Sequence, residues 1–304
     1  MTVFTKAALT SGLVLASLVA PTALLAEYPE RPVPFVVPWP PGDLEDVITR
    51  FIAEDFQEEY GVPTAVVNRP GGGGSWDLWV ATRPSRDAPW ESPRNVDFGI
   101  NTWNTEAQPE ISADGLSLFF ISNRVGGFGS QDLWVARRST RDACWGTPVN
   151  LGATVNSPGW DGQPNISADG LQLYFHSDRF GGFQDLWMTW RESIDSDWEA
   201  PVNLRTVNGA TLDQGPGIAS NGLALFLESD RRTGVTRDIY VSTRATVFDF
   251  WQPPIYVQGI NSTSRDADPD ISFDGRTLYF TSHRVEGFGY EDLWQAPLIP
   301  IVDF

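Results

Sequence analysis

Four carboxylates recur along the chain in one setting. Glu106, Asp161, Asp213 and Asp266 each follow an asparagine by five residues: Asn101, Asn156, Asn208 and Asn261. A second polar group accompanies each of them, at Gln108, Gln163, Gln214 and Asp268. If symmetry gathers these eight side chains, they make a ring of oxygen donors. Like charges held together are unfavourable unless solvated, protonated or neutralised by a cation. A donor set made of oxygen alone favours calcium over zinc. The same ring can hydrogen-bond sugar hydroxyls. The plainer reading is that these side chains cap exposed backbone at the start of a strand, which leaves the identity of any metal open.

Other residue types narrow the chemistry. Arginine and aspartate alternate at Arg124/Asp132, Arg179/Asp185, Arg231/Asp238 and Arg284/Asp292. These read as arginine–carboxylate clasps that close a hairpin, since the fork of a guanidinium fits a carboxylate. Phe128, Phe183 and Phe288 stand between or beside glycines. They are either exposed platforms for a sugar or a partner, or lids folded onto their own sheet. His176 and His283 do not share a register and have no cysteine partners, so neither metal binding nor proton transfer is assigned to them. Cys144 is the only cysteine, which excludes an internal disulfide and a cysteine-paired zinc site. No nucleophile elbow, phosphate loop or H-E-x-x-H string is present. No residue is assigned a catalytic role.

The elements that position these groups are repeats. Asp-Leu-Trp or a close variant begins at Asp77, Asp132, Asp185, Asp238 and Asp292, with spacings of 55, 53, 53 and 54 residues. Trp90, Trp145, Trp198 and Trp251 hold the same period, as do the asparagines above. Each unit reads as four short strands: one around P-x-I-S, one such as L-x-L-Y-F-x-S, the D-L-W strand, and one such as P-V-N-L. Asp114-Gly115, Asp169-Gly170, Asn221-Gly222 and Asp274-Gly275 are expected to make tight hairpins with φ > 0 at both central residues. Four antiparallel strands at this period predict an all-β fold, a β-propeller of four-stranded blades. The length from residue 33 suits five blades; four blades with an amino-terminal appendage is the alternative.

The S-x-D-G, L-Y-F-x-S-x-R and G-G-F-G-x-x-D-L-W segments resemble the TolB-type, WD-like propeller repeats of bacterial envelope proteins, over roughly residues 63–296. The resemblance implies the fold but no single function, because such repeats serve as docking scaffolds, ligand binders and occasionally enzymes.

Residues 1–26 read as a secretory signal peptide: Lys6 gives a positive start, an apolar run follows, and Leu24-Leu25-Ala26 precedes Glu27. Residues 27–62 differ from the propeller at 63–304. They contain Tyr28-Pro29-Glu30-Arg31-Pro32, an apolar strand, Pro38-Trp39-Pro40-Pro41-Gly42, and helical spacing from Asp43 to Tyr60. With Asn68-Arg69-Pro70-Gly71-Gly72 after them, they resemble the opening of the periplasmic receptors of tripartite tricarboxylate transporters. That likeness ends near Gly74 and implies a receptor remnant joined to a propeller.

The formal net charge of −18 disfavours nucleic acid and anionic membranes, both of them polyanions. Three readings of function remain. The first is a non-catalytic periplasmic or secreted scaffold, a monomer without a membrane span after signal cleavage, that binds an envelope protein or a glycan. The second is a carbohydrate-active enzyme, a glycoside hydrolase or lyase, built on the propeller. The third is a remnant receptor for carboxylates.

Overall fold

The computed structural model describes residues 69–70, 76–80, 82, 91–92, 94–96, 99–285 and 292–298. The signal-peptide stretch, the receptor-like segment 27–62 and Phe288 lie outside the described residues. Every regular element among the described residues is a strand. Among them no helix is long and apolar enough to cross a membrane.

Three sheets have four strands each, in antiparallel meanders. The first comprises β5 (Glu106–Ile111), β6 (Ser117–Ser122), β7 (Asp132–Arg137) and β8 (Val149–Asn150). The second comprises β9 (Asp161–Ile166), β10 (Gln172–Ser177), β11 (Asp185–Trp190) and β12 (Val202–Asn203). The third comprises β13 (Asp213–Ile218), β14 (Ala224–Ser229), β15 (Asp238–Thr243) and β16 (Ile255–Tyr256). A fourth sheet has β17 (Asp266–Ile271), β18 (Thr277–Ser282) and β19 (Asp292–Pro297). Among the described residues these are four blades of a β-propeller, the alternative that the sequence left beside the five suited by its length. Each second strand pairs with the following D-L-W strand as the sequence predicts. At the amino end β1 (Arg69–Pro70) pairs with β2 (Trp76–Asp77), and β3 (Trp79–Val80) with β4 (Arg94–Asn95). This piece keeps the phase of the repeat with a slip: Asp77 faces Arg69, whereas Asp132 faces Ser122. The slip is two residues along the repeat.

The core lies between successive blades. Leu78, Val80, Val96 and Ile100 pack on Ile111, Leu118, Phe120 and Trp134 of the next sheet. Ala107, Phe119, Ile121 and Val135 pack in turn on Val155, Ile166, Leu173 and Phe175. The second strand of each blade is covered on both faces, which is why Leu-x-Phe-Phe and Leu-Tyr-Phe runs replace simple alternation.

The repeated asparagine acts as a one-residue strand. Leu133 N–H donates to Asn156 Oδ1 at 2.8 Å, and Asn156 Nδ2 returns a bond to Leu133 O at 3.0 Å. Asn101, Asn208 and Asn261 do the same to Leu78, Leu186 and Ile239. The S-x-D-G turns differ from the expected two-residue hairpin. Only the glycines Gly115, Gly170, Gly222 and Gly275 take positive φ, at 71°, 71°, 69° and 72°. The glycine N–H closes each turn on the residue three before it, Gly115 on Ser112 O and Gly222 on Ala219 O, and Asp114 Oδ1 or Asn221 Oδ1 accepts from the N–H two residues on. In the blades with a serine its Oγ adds a further acceptor, as Ser112 Oγ does for Ser117 N–H.

Asn156→Ala leaves a buried N–H and C=O of Leu133 without their partners. We expect a loss of roughly 1–3 kcal/mol, read from the urea midpoint. An unchanged midpoint would show that the asparagine lock is incidental.

Candidate functional site

The arginines do not clasp the residues that the sequence suggests. Arg179 Nη2 lies 2.8 Å from Asp161 Oδ1, not on Asp185. Arg124 pairs with Glu106 at 3.1 Å, Arg284 with Asp266 at 2.6 Å, and Arg231 with Asp213. The geometry follows from the F-x-S-x-R string. The serine ends the second strand, and the arginine two residues on folds back over it: Arg179 Nε donates to Ser177 Oγ at 3.0 Å and Nη2 to Val155 O at 2.8 Å. The guanidinium stacks 5.1 Å from the Phe175 centroid and 4.6 Å from that of Trp187. Each guanidinium therefore joins three strands and a loop. Burial lowers the pKa of Arg124 and Arg179, and the facing carboxylates act against it.

The four expected cation ligands are therefore paired already. All eight residues of the expected ring lie inside the first strands of the blades, not in the loops before them. Glu106, Asp161, Asp213 and Asp266 have no exposed surface. Their remaining lone pairs accept from the preceding loop, as when Ser157 N–H and Oγ–H donate to Asp161 Oδ2 at 2.6 and 2.9 Å. The charge that would have called for a cation faces a guanidinium instead. Among the described residues no group of three or more His, Cys, Asp or Glu side chains is placed to hold a metal ion. Asp132 and Asp185 have other work. Asp132 accepts from the Phe128 and Gly129 amides and from Asn150 Nδ2, and Asp185 accepts from Asn203 Nδ2. Asp238 takes Arg232 Nε at 2.9 Å.

A second set of polar groups lies on the axis, where the first strands face each other. Each first strand carries a bulge before a proline, at Gln108, Gln163, Gly215 and Asp268, with φ of 49°, 46°, 57° and 48°. Three of the four are not glycine, so backbone strain is held here. Gln214, singled out from sequence, is one step out of this register and donates to Gln184 Oε1. The bulge turns one N–H of each blade towards the neighbour. Gln163 N–H donates to Gln108 Oε1 at 2.8 Å, and Gly215 N–H to Gln163 Oε1 at 2.9 Å. Gln163 Nε2 reaches Asp268 Oδ1 at 3.0 Å, and Thr281 Oγ1 donates to Asp268 Oδ2 at 3.0 Å.

These contacts assign the state of His176. Gln163 Oε1 is an acceptor because Gly215 N–H points at it. His176 Nδ1, 2.9 Å from the same oxygen, must therefore be the donor. Nε2 is left as a lone pair without a hydrogen-bond partner. Burial, with Arg237 nearby, pulls the His176 pKa down to about 3, so the ring is neutral. Glu228 occupies the same position of the next blade's second strand. Its Oε1 lies 2.8 Å from Arg237 Nη1, and Arg265 Nη2 lies 3.6 Å from both Glu228 Oε2 and Asp268 Oδ2. Burial and the Asp268 charge raise its pKa to about 7 despite both arginines. Deeper along the axis, burial raises Asp270 to about 6; Glu110 is raised well above the usual range by burial and by Asp270.

Sequence reading set His176 aside and passed over Glu228, Glu110 and Asp270. A signal existed: the penultimate residue of the second strand is Ile121, His176, Glu228 and Thr281, polar in three blades between apolar neighbours.

The loops between the second and third strands form one rim of the propeller. Phe128 and Phe183 are exposed there, at 51% and 62%. Sequence reading missed their companions Val125, Phe180, Val235 and Val285, which are also exposed. All fall one or four residues after the hub arginine of their own blade, or after its equivalent Arg231 or Arg284. Phe180 also sets its ring edge against Trp187, with centroids 5.3 Å apart.

Comparison with solved structures places the architecture. The crystal structure of TolB from Acinetobacter baumannii superposes with a TM-score of 0.53 at 16% identity, covering 76% of this chain and 49% of that one. The fold is a TolB-like β-propeller. The chain spans about half of that protein's length, and at this identity the likeness concerns the fold alone. No family model matches the chain. The receptor-like amino-terminal segment has relatives of its own. Protein BugT of Bordetella pertussis is 47% identical over 47 residues, which is 16% of this chain and 14% of BugT. A UPF0065 protein from the tcbD–tcbE intergenic region of Pseudomonas sp. strain P51 is 44% identical over 63 residues, 20% of this chain and 18% of that protein. The chain thus spans less than a fifth of the relatives that its sequence matches.

Two outcomes follow. Between its ordinary value and about 7, Glu228 holds a proton in the folded state that the unfolded chain has released. Stability therefore falls as pH rises through this window, by up to about 1.4 kcal/mol per pH unit for one such group. Urea midpoints from pH 5 to 8.5 should decline, and Glu228→Gln should flatten the decline; a parallel curve for the variant would remove Glu228 from the account. Arg179→Met should cost roughly 3–5 kcal/mol by leaving Asp161 buried and unpaired. Adding Asp161→Asn should restore part of the loss in a double-mutant cycle.

Proposed function

We propose that this chain is a non-catalytic, extracytoplasmic propeller that docks a protein partner on the rim formed by the loops between second and third strands. The observation that carries the reading is the exposed apolar residue one or four places after the hub arginine in successive loops: Val125 and Phe128, Phe180 and Phe183, then Val235 at the second place of the third loop and Val285 at the first place of the fourth. Solvent-facing valine and phenylalanine repeated on one rim are a recognised mark of an interaction surface. Their loops are held from below by the arginine hubs, so the surface is presented in advance and little ordering accompanies binding. The signal-like residues 1–26, the short BugT likeness and the TolB-like fold support an extracytoplasmic setting.

A glycan on the same rim is the second reading, because Phe128 and Phe183 offer flat faces to a sugar ring. The enzymatic reading would use Glu110 and Asp270, whose raised pKa values suit proton transfer. Both carboxylates are instead tied to strand backbone: Glu110 Oε1 accepts from Ile166 N–H at 3.4 Å, and Asp270 Oδ1 from Ile271 N–H at 2.8 Å.

Photo-crosslinking in the producing cell tests the docking reading. A benzophenone side chain at Phe183 should give one discrete protein adduct. The same group at Phe248, which is 95% exposed at the opposite rim, should not. Equal labelling at both sites, or none at Phe183, would sink the reading; retention on a glycan array without adducts would favour the sugar.

A further inference from the structure

Where the first and second of the four blades meet near the axis, three buried polar atoms have no hydrogen-bond partner: Gln131 Oε1, Trp160 Nε1 and His176 Nε2. A buried donor or acceptor left unmet bears its full desolvation cost. Two of the three gather at Gly162. A Cβ built there would stand 2.5 Å from His176 Nε2 and 2.9 Å from Trp160 Nε1. The indole and the imidazole meet edge to face, with centroids 5.6 Å apart. Both nitrogens therefore lie about one place, and glycine at 162 leaves that place to them.

The third atom is tied to the same place by the repeat. Asp161 N–H donates to Gln131 O at 3.0 Å, and Asp213 N–H to Gln184 O at 2.9 Å, so Gln131 and Gln184 are equivalent. In the ladders Gly162 faces His176, and Gln214 faces Glu228. In the third blade Gln214 Nε2 donates to Gln184 Oε1. In the second blade glycine stands at that position, and Gln131 Oε1 has no such donor. What the second blade lacks, relative to the third, is a carboxamide.

The hydrogen-bonding demand of the three atoms is specific. Gln131 Oε1 accepts. His176 Nε2 also accepts, because Nδ1 carries the proton and burial keeps the ring neutral. Trp160 Nε1 only donates. Their complement brings two N–H or O–H donors and one acceptor. A carboxylate brings acceptors alone, an ammonium donors alone, and a single hydroxyl one donor. A primary carboxamide has two N–H groups and a carbonyl on one carbon.

The geometry points to a binding site for a primary carboxamide beside Gly162, with its NH2 group shared between Gln131 Oε1 and His176 Nε2 and its carbonyl oxygen taken by Trp160 Nε1–H. Gln131 and Trp160 are half-buried, so the site is reached from the face that carries the rim loops. The loop of Phe128 borders it: Ser130 N–H donates to Gly159 O at 3.0 Å. Two sources offer this chemistry, a free small amide or the Asn or Gln side chain of a protein seated on the rim. The site itself does not depend on the rim reading.

The test follows the indole N–H of Trp160 by NMR in the full chain with nitrogen-labelled tryptophan, the signal being assigned by its loss in Trp160→Phe. Propionamide, which copies the end of a glutamine side chain, should move that signal saturably. Propionate and N,N-dimethylpropionamide lack the two donors and should not. Gln131→Met removes one acceptor at similar volume; it should weaken propionamide at least about tenfold and keep the melting midpoint. Gly162→Ala sets a methyl group on the shared place and should abolish binding. No saturable shift with propionamide up to about 0.1 M, a range suited to a ligand of so few atoms, overturns the inference. So does an equal response to all three probes; a bound water is then all that the three atoms hold. The Gln131→Met chain also separates the sources. A Phe183 adduct that falls together with propionamide binding assigns the site to a partner's side chain, and an adduct that persists assigns it to a free amide. Saturable propionamide binding by a wild type that gives no adduct counts against the rim alone.

Discussion

A buried guanidinium stacked on aromatic rings, two in three blades and Tyr240 alone in the third, governs the architecture of each blade. Arg179 touches the second strand through Ser177, the third through Trp187, the first through Asp161, and the entering loop through Val155 O. Arginine alone has enough donors in a fixed plane to meet all of these partners while its faces stack. The pair is buried, and removing either member strands the other in a medium of low polarity. The rim loops rise directly from this anchor. The apolar residues that the proposed function rests on are therefore set by the same contact that fixes the fold.

Around the axis a different rule applies. There the blades are joined not by ion pairs within a repeat but by side chains that reach the backbone of the next repeat. Gln108 receives Gln163 N–H, Gln163 receives Gly215 N–H, and Glu228 receives Asp268 N–H. The bulges before Pro109, Pro164, Pro216 and Pro269 aim those amides sideways, at the cost of left-handed backbone in non-glycine residues. Charge accumulates where this pattern is broken. Blade three has glycine at both axial places, and the acids that flank it, Glu228, Asp268 and Asp270, draw in Arg237 and Arg265.

The repeat was legible because four markers share one period, and so were the strands, since hydrophobic runs and Asp-Gly turns repeat with them. What misled was distance along the chain. Arg179 and Asp185 are six residues apart and flank one loop, so they read as a pair. Asp161 is eighteen residues away, yet the register of β9 on β10 brings it beside Ser177. A salt bridge across paired strands is written in register, and register depends on a bulge that no single residue announces. The same bulge hid the axial site: Gln214 looked equivalent to Gln163, and Gly215 is the true counterpart. The exposed phenylalanines were found because glycines surround them; the valines beside them carried no such flag.

The contact at Gly217 makes one joint between blades unlike the others. A Cβ built on it would stand 2.6 Å from Pro269 O and 3.4 Å from Asp270 Cα, so the neighbouring backbone lies against it. The equivalent places elsewhere hold Glu110, Asn165 and Asp270, of which Glu110 and Asn165 accept from the backbone N–H groups of Ile166 and Ile218 in the next blade. A ring grown by copying one unit would begin with interchangeable seams. This ring has a seam that closes only over glycine, so a blade moved from another position would not seat there. The order of the repeats has become as much a part of the molecule as their number.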